Sequence, residues 1–294
     1  MISLIVLNYN DYITTSQFVR NMIHTDTIDK IVVVDNHSSD NSYEQLKELC
    51  CEKVDLIRTQ KNNGYAYGNN FGAFYAIKKY NPQYIIIANP DVELNDDIIE
   101  YIIHFAEKTE NLGIVTCVMN CTSGIDLPVA SKLPDYIDCV LEQLMLLKKI
   151  VGSSLKYDDQ YLKQKVVDVD VLPGSFFLIE ANTFTEVGGF DENTFLYYEE
   201  NILAHKLKYK GKNNYLLTEK SYIHNHSVTI NKNISSVKNR LEIAFDSRKL
   251  YCTKYLRCNK LQLWFLKLIF IIGLNDYLLA VKLIETIREK LECE

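Results

Sequence analysis

The apolar run Tyr84 to Ala88 stops at Asn89-Pro90-Asp91, which delivers a carboxylate at the end of one short buried strand, behind a proline that cannot continue the ladder. Ligands of open α/β sheets gather beyond the carboxyl ends of the strands, so Asp91 is a candidate ligand for a metal ion. Three more polar clusters follow strand-like runs. Asn8-Tyr9-Asn10 follows Ile2 to Leu7, Asp35-Asn36-His37-Ser38-Ser39-Asp40 follows Ile31 to Val34, and a loop from Asn62 through Asn63, Gly64, Asn69 and Asn70 to Gly72 follows Val54 to Arg58. Glycines there permit close backbone approach and amides offer donors at a helix start. Further on, Asp191 precedes the acidic pair Glu199-Glu200, and His224 and His226 follow a last strand-like run. A carboxylate pair before a helix can act as a general base or can simply sit favourably at a helix N-terminus.

The elements that must hold these clusters read as successive βαβ units. Strands are predicted at 2–7, 30–35, 54–58 and 84–88, with helices from Thr14 to about His24, from Tyr43 to Cys50, up to about Lys79 and from Asp96 to Lys108. A parallel sheet covered by helices is the expected architecture. Beyond Gly113 a strand at 114–119 and a helical stretch at 138–151 are predicted. A half-exposed strand at 166–172 follows, with 174–179 reading as its continuation, then a helix from Asn182, a basic helix ending at Gly211 and a strand at 214–217.

The 294 residues are 47% hydrophobic, ample for one large α/β domain with a smaller addition. A net charge of −6 argues against general nucleic-acid binding. The eight cysteines include no CxxC pair, so neither a zinc site nor a secreted disulfide framework is expected, and reduced cytoplasmic thiols fit best. The first residues lack a basic leader and run straight into a strand, so no cleaved signal is expected. GxGxxG after the first strand and GxxxxGK[ST] are both missing, which excludes nicotinamide and P-loop readings.

Taken together, Asn8-Tyr9-Asn10, the Asp35 loop, the Asn-Gly loop, Asn89-Pro90-Asp91, Gly188-Gly189-Phe190-Asp191-Glu192 and Tyr198-Glu199-Glu200 resemble the family 2 glycosyltransferases of GT-A fold, in particular their rhamnosyltransferase-like branch. The resemblance covers residues 2 to about 230. It implies an inverting, metal-dependent hexosyltransferase that moves a sugar from dTDP-rhamnose or a UDP-sugar to a saccharide or lipid-linked acceptor of bacterial surface polysaccharide. The alternative is a non-catalytic carbohydrate-binding or assembly subunit of the same fold. Asn89-Pro90-Asp91 stands in place of the family's Asp-x-Asp motif; its first acid is Asn89, so only Asp91 carries over as a ligand for Mg²⁺ or Mn²⁺. His224 falls where the family often places a histidine near the diphosphate, and His226 is its neighbour. Asp35 would accept from the N3 proton of uracil or thymine, and Asn8 and Tyr9 would flank the base. Asn63 and Gly64 would line the nucleoside and sugar, with Asn10, Asn36, Asn69 and Asn89 completing the nucleotide-sugar set. Glu200 is the implied base, Glu199 its alternative, and Asp191 a contact to the acceptor hydroxyl or an orienter of its loop.

A change of character near residue 230 is read as the boundary between a catalytic domain (1–230) and a helical extension (231–294). Between Lys254 and Lys290 seven Lys or Arg stand against three acids, interleaved with Leu261, Trp264, Phe265, Leu268, Ile271 and Ile272. This segment is expected to lie on the cytoplasmic membrane face, to pack on the catalytic domain or to pair two subunits. Its apolar run, taken as 261–274, is shorter than the roughly 18 residues of a bilayer span.

Overall fold

Four short strands, β1 (Ile2–Asn8), β2 (Lys30–Asp35), β3 (Val54–Arg58) and β4 (Tyr84–Ala88), pair in parallel in the order β3-β2-β1-β4. They belong to a computed structural model that describes residues 1–121, 129–144, 153–225 and 236–292, with side chains up to residue 280. Their register sets Asn8 opposite Asp35 and Asp35 opposite Arg58, so the polar clusters emerge level along one edge. The runs are continuously apolar because both faces are covered: Leu4, Val6 and Ile86 enter one core cluster, while Ile5, Ile85 and Ile87 enter the other. Helices α1 (Tyr12–Met22), α2 (Ser42–Leu46) and α3 (Tyr65–Tyr80) make the crossovers. A helix α4 (Asp96–Ala106) follows the two-residue β5 (Val92–Glu93), capped by Asn95, whose side chain accepts from the Ile98 amide at 3.0 Å.

The second half of the sheet is mixed. β6 (Leu112–Cys121) runs parallel to β9 (Asn213–His224), and β7 (Val166–Val169) lies antiparallel on β9. β8 (Phe176–Glu180) lies antiparallel between β4 and β6. The expectation that 174–179 continues the strand at 166–172 therefore fails. The chain turns through Leu172-Pro173-Gly174, where proline cannot donate to a ladder, and the two strands take different partners. The fold is nevertheless α/β of GT-A type, with a largely parallel N-terminal half.

The short helices α5 (Tyr136–Leu141) and α6 (Ala181–Glu186) precede α7 (Glu199–Tyr209), α8 (Val237–Lys254) and the long α9 (Lys260–Glu292). The expected helix at 138–151 is described only as far as α5, and its remainder lies outside the described residues, as do the boundary near 230 and His226. Phe245, Tyr251 and Cys252 of α8 and Leu266, Phe270 and Leu274 of α9 form a third core with Cys139, Tyr198 and Ile202. Phe245 and Phe270 stack with ring centroids 4.1 Å apart. Gly273 lets α9 close on the segment after α5, since a Cβ there would lie 2.1 Å from the Gln143 carbonyl oxygen. The length expectation for this segment is corrected: Asn275-Asp276 does not break the helix, and Lys260–Ala280 is long and apolar enough to cross a membrane by length and composition.

Candidate active site

The strand ends open onto a cleft of about 530 Å³. Tyr9, Asn36, Gly64, Asn89, Asp91, Glu199, Glu200 and His224 line it together, from six separate stretches of chain. On one wall, Asn89 donates its amide to the Ser175 carbonyl at 2.8 Å and so ties the end of β4 to the start of β8. The β5–β9 register pairs Val92 with His224, and Asn225 donates to the Asp91 carbonyl at 2.9 Å. That pairing sets the Asp91 carboxylate 3.2 Å from the His224 Nε2, both side chains nine-tenths buried.

A carboxylate oxygen and an imidazole nitrogen converge at the cleft wall, a combination that suits Mn²⁺ and, through the oxygen, Mg²⁺. Among the described residues no group of three or more His, Cys, Asp or Glu gathers around a common point. Such sparse ligation is what Mg²⁺-type ions accept when substrate phosphates and water complete the shell. The chemistry of Asp91 and His224 is therefore compatible with such an ion.

The nucleoside side departs from expectation. Asp35 is fully buried: its oxygens accept from Asn8 Nδ2 at 3.1 Å and the Ser38 amide at 3.2 Å, and Arg58 Nε lies 3.1 Å away. The structure thus places Asp35, expected as a base contact, within the loop network and not among the residues that line the cleft. Asn8, also fully buried, accepts from Thr15 at 2.8 Å and belongs to the same network. Asn10 pairs with Ser39, whose amide donates to Asn10 Oδ1 at 2.8 Å. Asn69 is buried in α3, donating to the Tyr65 carbonyl at 3.1 Å. Asn10, Asn63 and Asn69 do not line the cleft. Asn36 does, and its amide is fixed by Asn62 Oδ1 at 3.0 Å and the Gly64 carbonyl at 3.1 Å. Gly64 is required where it stands, with φ +94° and the Phe195 carbonyl 2.1 Å from any added Cβ. Asp11, Asn62, Tyr65 and the turn Pro173-Gly174-Ser175 also line the cleft and were not anticipated. For Asn62 the signal was present in the Asn-Gly loop, whereas the turn at Pro173 was masked by its strand-like flanks.

Glu199 and Glu200, at the start of α7, line the same cleft as Asp91. The two residues before them, Tyr197 and Tyr198, both have φ +69°, a left-handed conformation that bulky residues adopt only when the surroundings enforce it. Here α8 enforces it. Arg248 Nε donates to the Tyr198 hydroxyl at 2.8 Å, its guanidinium lies 5.2 Å from that ring's centroid, and Ser247 Oγ donates to the Leu196 carbonyl at 2.9 Å. Burial pushes the Glu199 carboxyl well above the usual carboxylate range, and the charge of Glu200 adds to the rise. Burial raises Glu200 as well. The Oε1 atom of Glu199 is buried with no hydrogen-bond partner.

A carboxyl whose pKa is raised on folding leaves stability intact below the ordinary carboxylate range and costs stability as pH rises through the raised value. Wild-type melting temperature is therefore expected to fall over that window. Glu199→Gln should flatten the slope and raise the melting temperature at neutral pH by about 2 °C for each kcal/mol relieved. Thermal melts across acid to neutral pH check this; parallel wild-type and variant curves would assign the burial penalty elsewhere.

Asp191 is not in the cleft. It faces a second, shallower cavity with Asn70, Lys206, Lys254 and Tyr255. Burial disfavours its charge, but Lys254 Nζ at 2.7 Å, the Tyr255 hydroxyl at 2.6 Å and Asn193 together hold it well below the usual carboxylate range. Of its two expected roles, contact with an acceptor hydroxyl or orientation of its loop, this placement suits the second, the side chain tying the 190–198 loop to the end of α8.

The Glycosyl transferase family 2 model matches residues 3–170, so the acidic pair lies beyond the matched part. The chain is 29% identical over 203 residues to the "Low-salt glycan biosynthesis hexosyltransferase Agl10" of Haloferax volcanii, an alignment covering 68% of this chain and 59% of that protein. It is 26% identical over 219 residues to "Rhamnosyltransferase WbbL" of Escherichia coli, covering 72% of this chain and 78% of that one. Among solved structures, that of GalNAc-T7 with UDP, GalNAc and Mn²⁺ superposes with a TM-score of 0.60 at 15% identity, over 86% of this chain and 51% of the other, a likeness of fold. With more than half of its length matched by that model and the GT-A sheet behind its cleft, this chain belongs to glycosyl transferase family 2.

Proposed function

We propose that the chain is an inverting glycosyltransferase. Its donor is a nucleotide diphosphate sugar, dTDP-rhamnose or a UDP-sugar, and its acceptor is a saccharide or lipid-linked saccharide of a surface polysaccharide assembled from the cytoplasm. The observation that carries this reading is that the Asp91–His224 pair and the Glu199–Glu200 pair line one cleft. Bound Mg²⁺ or Mn²⁺ would neutralise the diphosphate as it leaves. Asp91 and His224 would hold that ion, while Tyr9, Asn36 and Gly64 hold the nucleoside and sugar. Glu200 takes the proton of the acceptor hydroxyl as its oxygen bonds to the anomeric carbon and the bond from that carbon to the diphosphate breaks. Glu199, kept neutral by burial beside Glu200, leaves the pair with one charge to act as base.

Calorimetric titration with UDP and with dTDP, each with and without Mn²⁺, tests the donor half of this reading. One of the two nucleotides is expected to bind in a Mn²⁺-dependent way. Asp91→Ala should weaken that binding by about a hundredfold, equivalent to roughly 3 kcal/mol. Binding that ignores both the metal and the substitution would remove Asp91 from the site. A chain that binds the nucleotide but releases no nucleoside diphosphate from any nucleotide sugar would favour the non-catalytic reading.

A further inference from the structure

Between Lys260 and Ala280 helix α9 has two apolar faces, and among the described residues only one of them is covered. Leu266, Phe270 and Leu274 are buried against α5, α8 and the start of α7. Leu261, Trp264, Phe265, Leu268, Ile271 and Ile272 recur every three or four residues on the opposite side and are all exposed, Leu261 by 72% and Trp264 by 59%. At 3.6 residues per turn these six form one continuous stripe. Arg257, Lys260 and Lys267 are exposed at its N-terminal end and along its flank, and from Arg257 to Ala280 they are opposed by a single acid, Asp276. This local excess of positive charge belongs to a chain whose net charge is −6.

We propose that the outer stripe of α9 docks on the surface of an anionic lipid bilayer, with the helix lying in the interface. An apolar stripe edged by cations, with a tryptophan near its end, suits the boundary between acyl chains and acidic headgroups. A membrane crossing would require α9 to leave its bed, breaking the Phe245–Phe270 stack and opening the core around Tyr198. A second copy on the same stripe would set one cation-edged face against another. Docked in this way, α9 holds the cleft at the membrane, because its inner face packs in the same cluster as Tyr198, the residue before Glu199. The inference rests on the geometry of α9 and not on the donor reading, and its test measures no turnover.

Flotation of the full chain with vesicles of phosphatidylglycerol and phosphatidylcholine, compared with phosphatidylcholine alone, decides the matter. The wild type is expected to float with the anionic vesicles and less so as salt rises. Leu261→Glu with Trp264→Glu, at the two most exposed of the six positions, should weaken partitioning by about a hundredfold. Lys260→Gln with Lys267→Gln, which keeps the stripe, should weaken it by about fivefold per cation. Unchanged melting temperatures would confirm that both variants fold. The proposal is overturned if the wild type stays with the unbound protein, or if the glutamate variant floats as well as the wild type. Sedimentation showing a dimer that the glutamate variant dissociates, without flotation of either, would assign the stripe to a second copy instead.

Discussion

Replacing Glu200 by glutamine is expected to leave Mn²⁺-dependent nucleotide binding unchanged and to lower turnover by about 10²–10⁴-fold, the usual contribution of a general base. The substitution keeps the volume of the side chain and removes only its capacity to accept a proton. Burial raises the Glu200 pKa, and a base works in its ionised form. Wild-type turnover should accordingly rise with pH through a limb lying above the ordinary carboxylate range, and the variant should lack that limb. Rate measurements across pH on both proteins, beside calorimetry at one pH, separate the roles. A loss of rate in Glu199→Gln with normal rates in Glu200→Gln would exchange the two carboxyls, and weakened nucleotide binding in Glu200→Gln would move it to the donor side.

The second large effect is expected at Arg248, far from the cleft in sequence and one side chain removed from it in space. Its guanidinium donates to the Tyr198 hydroxyl, covers that ring and lies 3.4 Å from Glu142, with only 12% of the side chain exposed. Arg248→Met removes the donor and the cation while filling a similar volume. Breaking such a buried pair costs about 3–5 kcal/mol, which should lower the melting temperature by roughly 10 °C. Freed of this clamp, Tyr198 loses what holds it in a left-handed conformation, and Glu199 and Glu200 lose their aim. Turnover should therefore fall at temperatures where circular dichroism still reports a folded chain, with nucleotide affinity little changed because the Asp91 wall rests on β4, β5 and β9. Arg248→Lys keeps the charge without the planar fork and should recover part of both losses. A variant with wild-type melting and wild-type rate would show that the strain at Tyr197 and Tyr198 is held by their own packing.

The N-terminal strands were legible because a parallel strand covered on both faces writes itself as an unbroken apolar run, as in residues 31–34 of β2 and 84–88 of β4, while β3 was read at 54–58 despite Asp55 within it. Asp91 lines the cleft, as its place at a strand end led the sequence reading to expect. Asp35 also stands at a strand end, but Asn8 and Arg58, brought alongside by register, closed over it, and sequence order does not reveal that lateral enclosure. For Asp191 the choice between an acceptor contact and an orienter of its loop stayed open for a related reason, since its partners Lys254 and Tyr255 stand at the end of a helix that begins more than forty residues later. In the segment 166–180 the β-rich residues on both sides of Pro173 concealed a change of strand partner. α9 ran past its apparent end because Asn275 and Asp276 face solvent on a helix whose inner contacts continue.

The order of strands has a consequence for how the chain is made. β4 takes β1 on one side and β8 on the other, yet β8 begins only at Phe176. During synthesis β1 to β4 can assemble from neighbouring βαβ units while the far edge of β4, Tyr84 to Ala88, waits with its backbone groups unpaired until β8 leaves the ribosome. That edge is wholly apolar and carries no charge or proline before Pro90 to deter a foreign strand. The nascent chain should be most prone to aggregate, and most dependent on chaperones, between the emergence of β4 and that of β8.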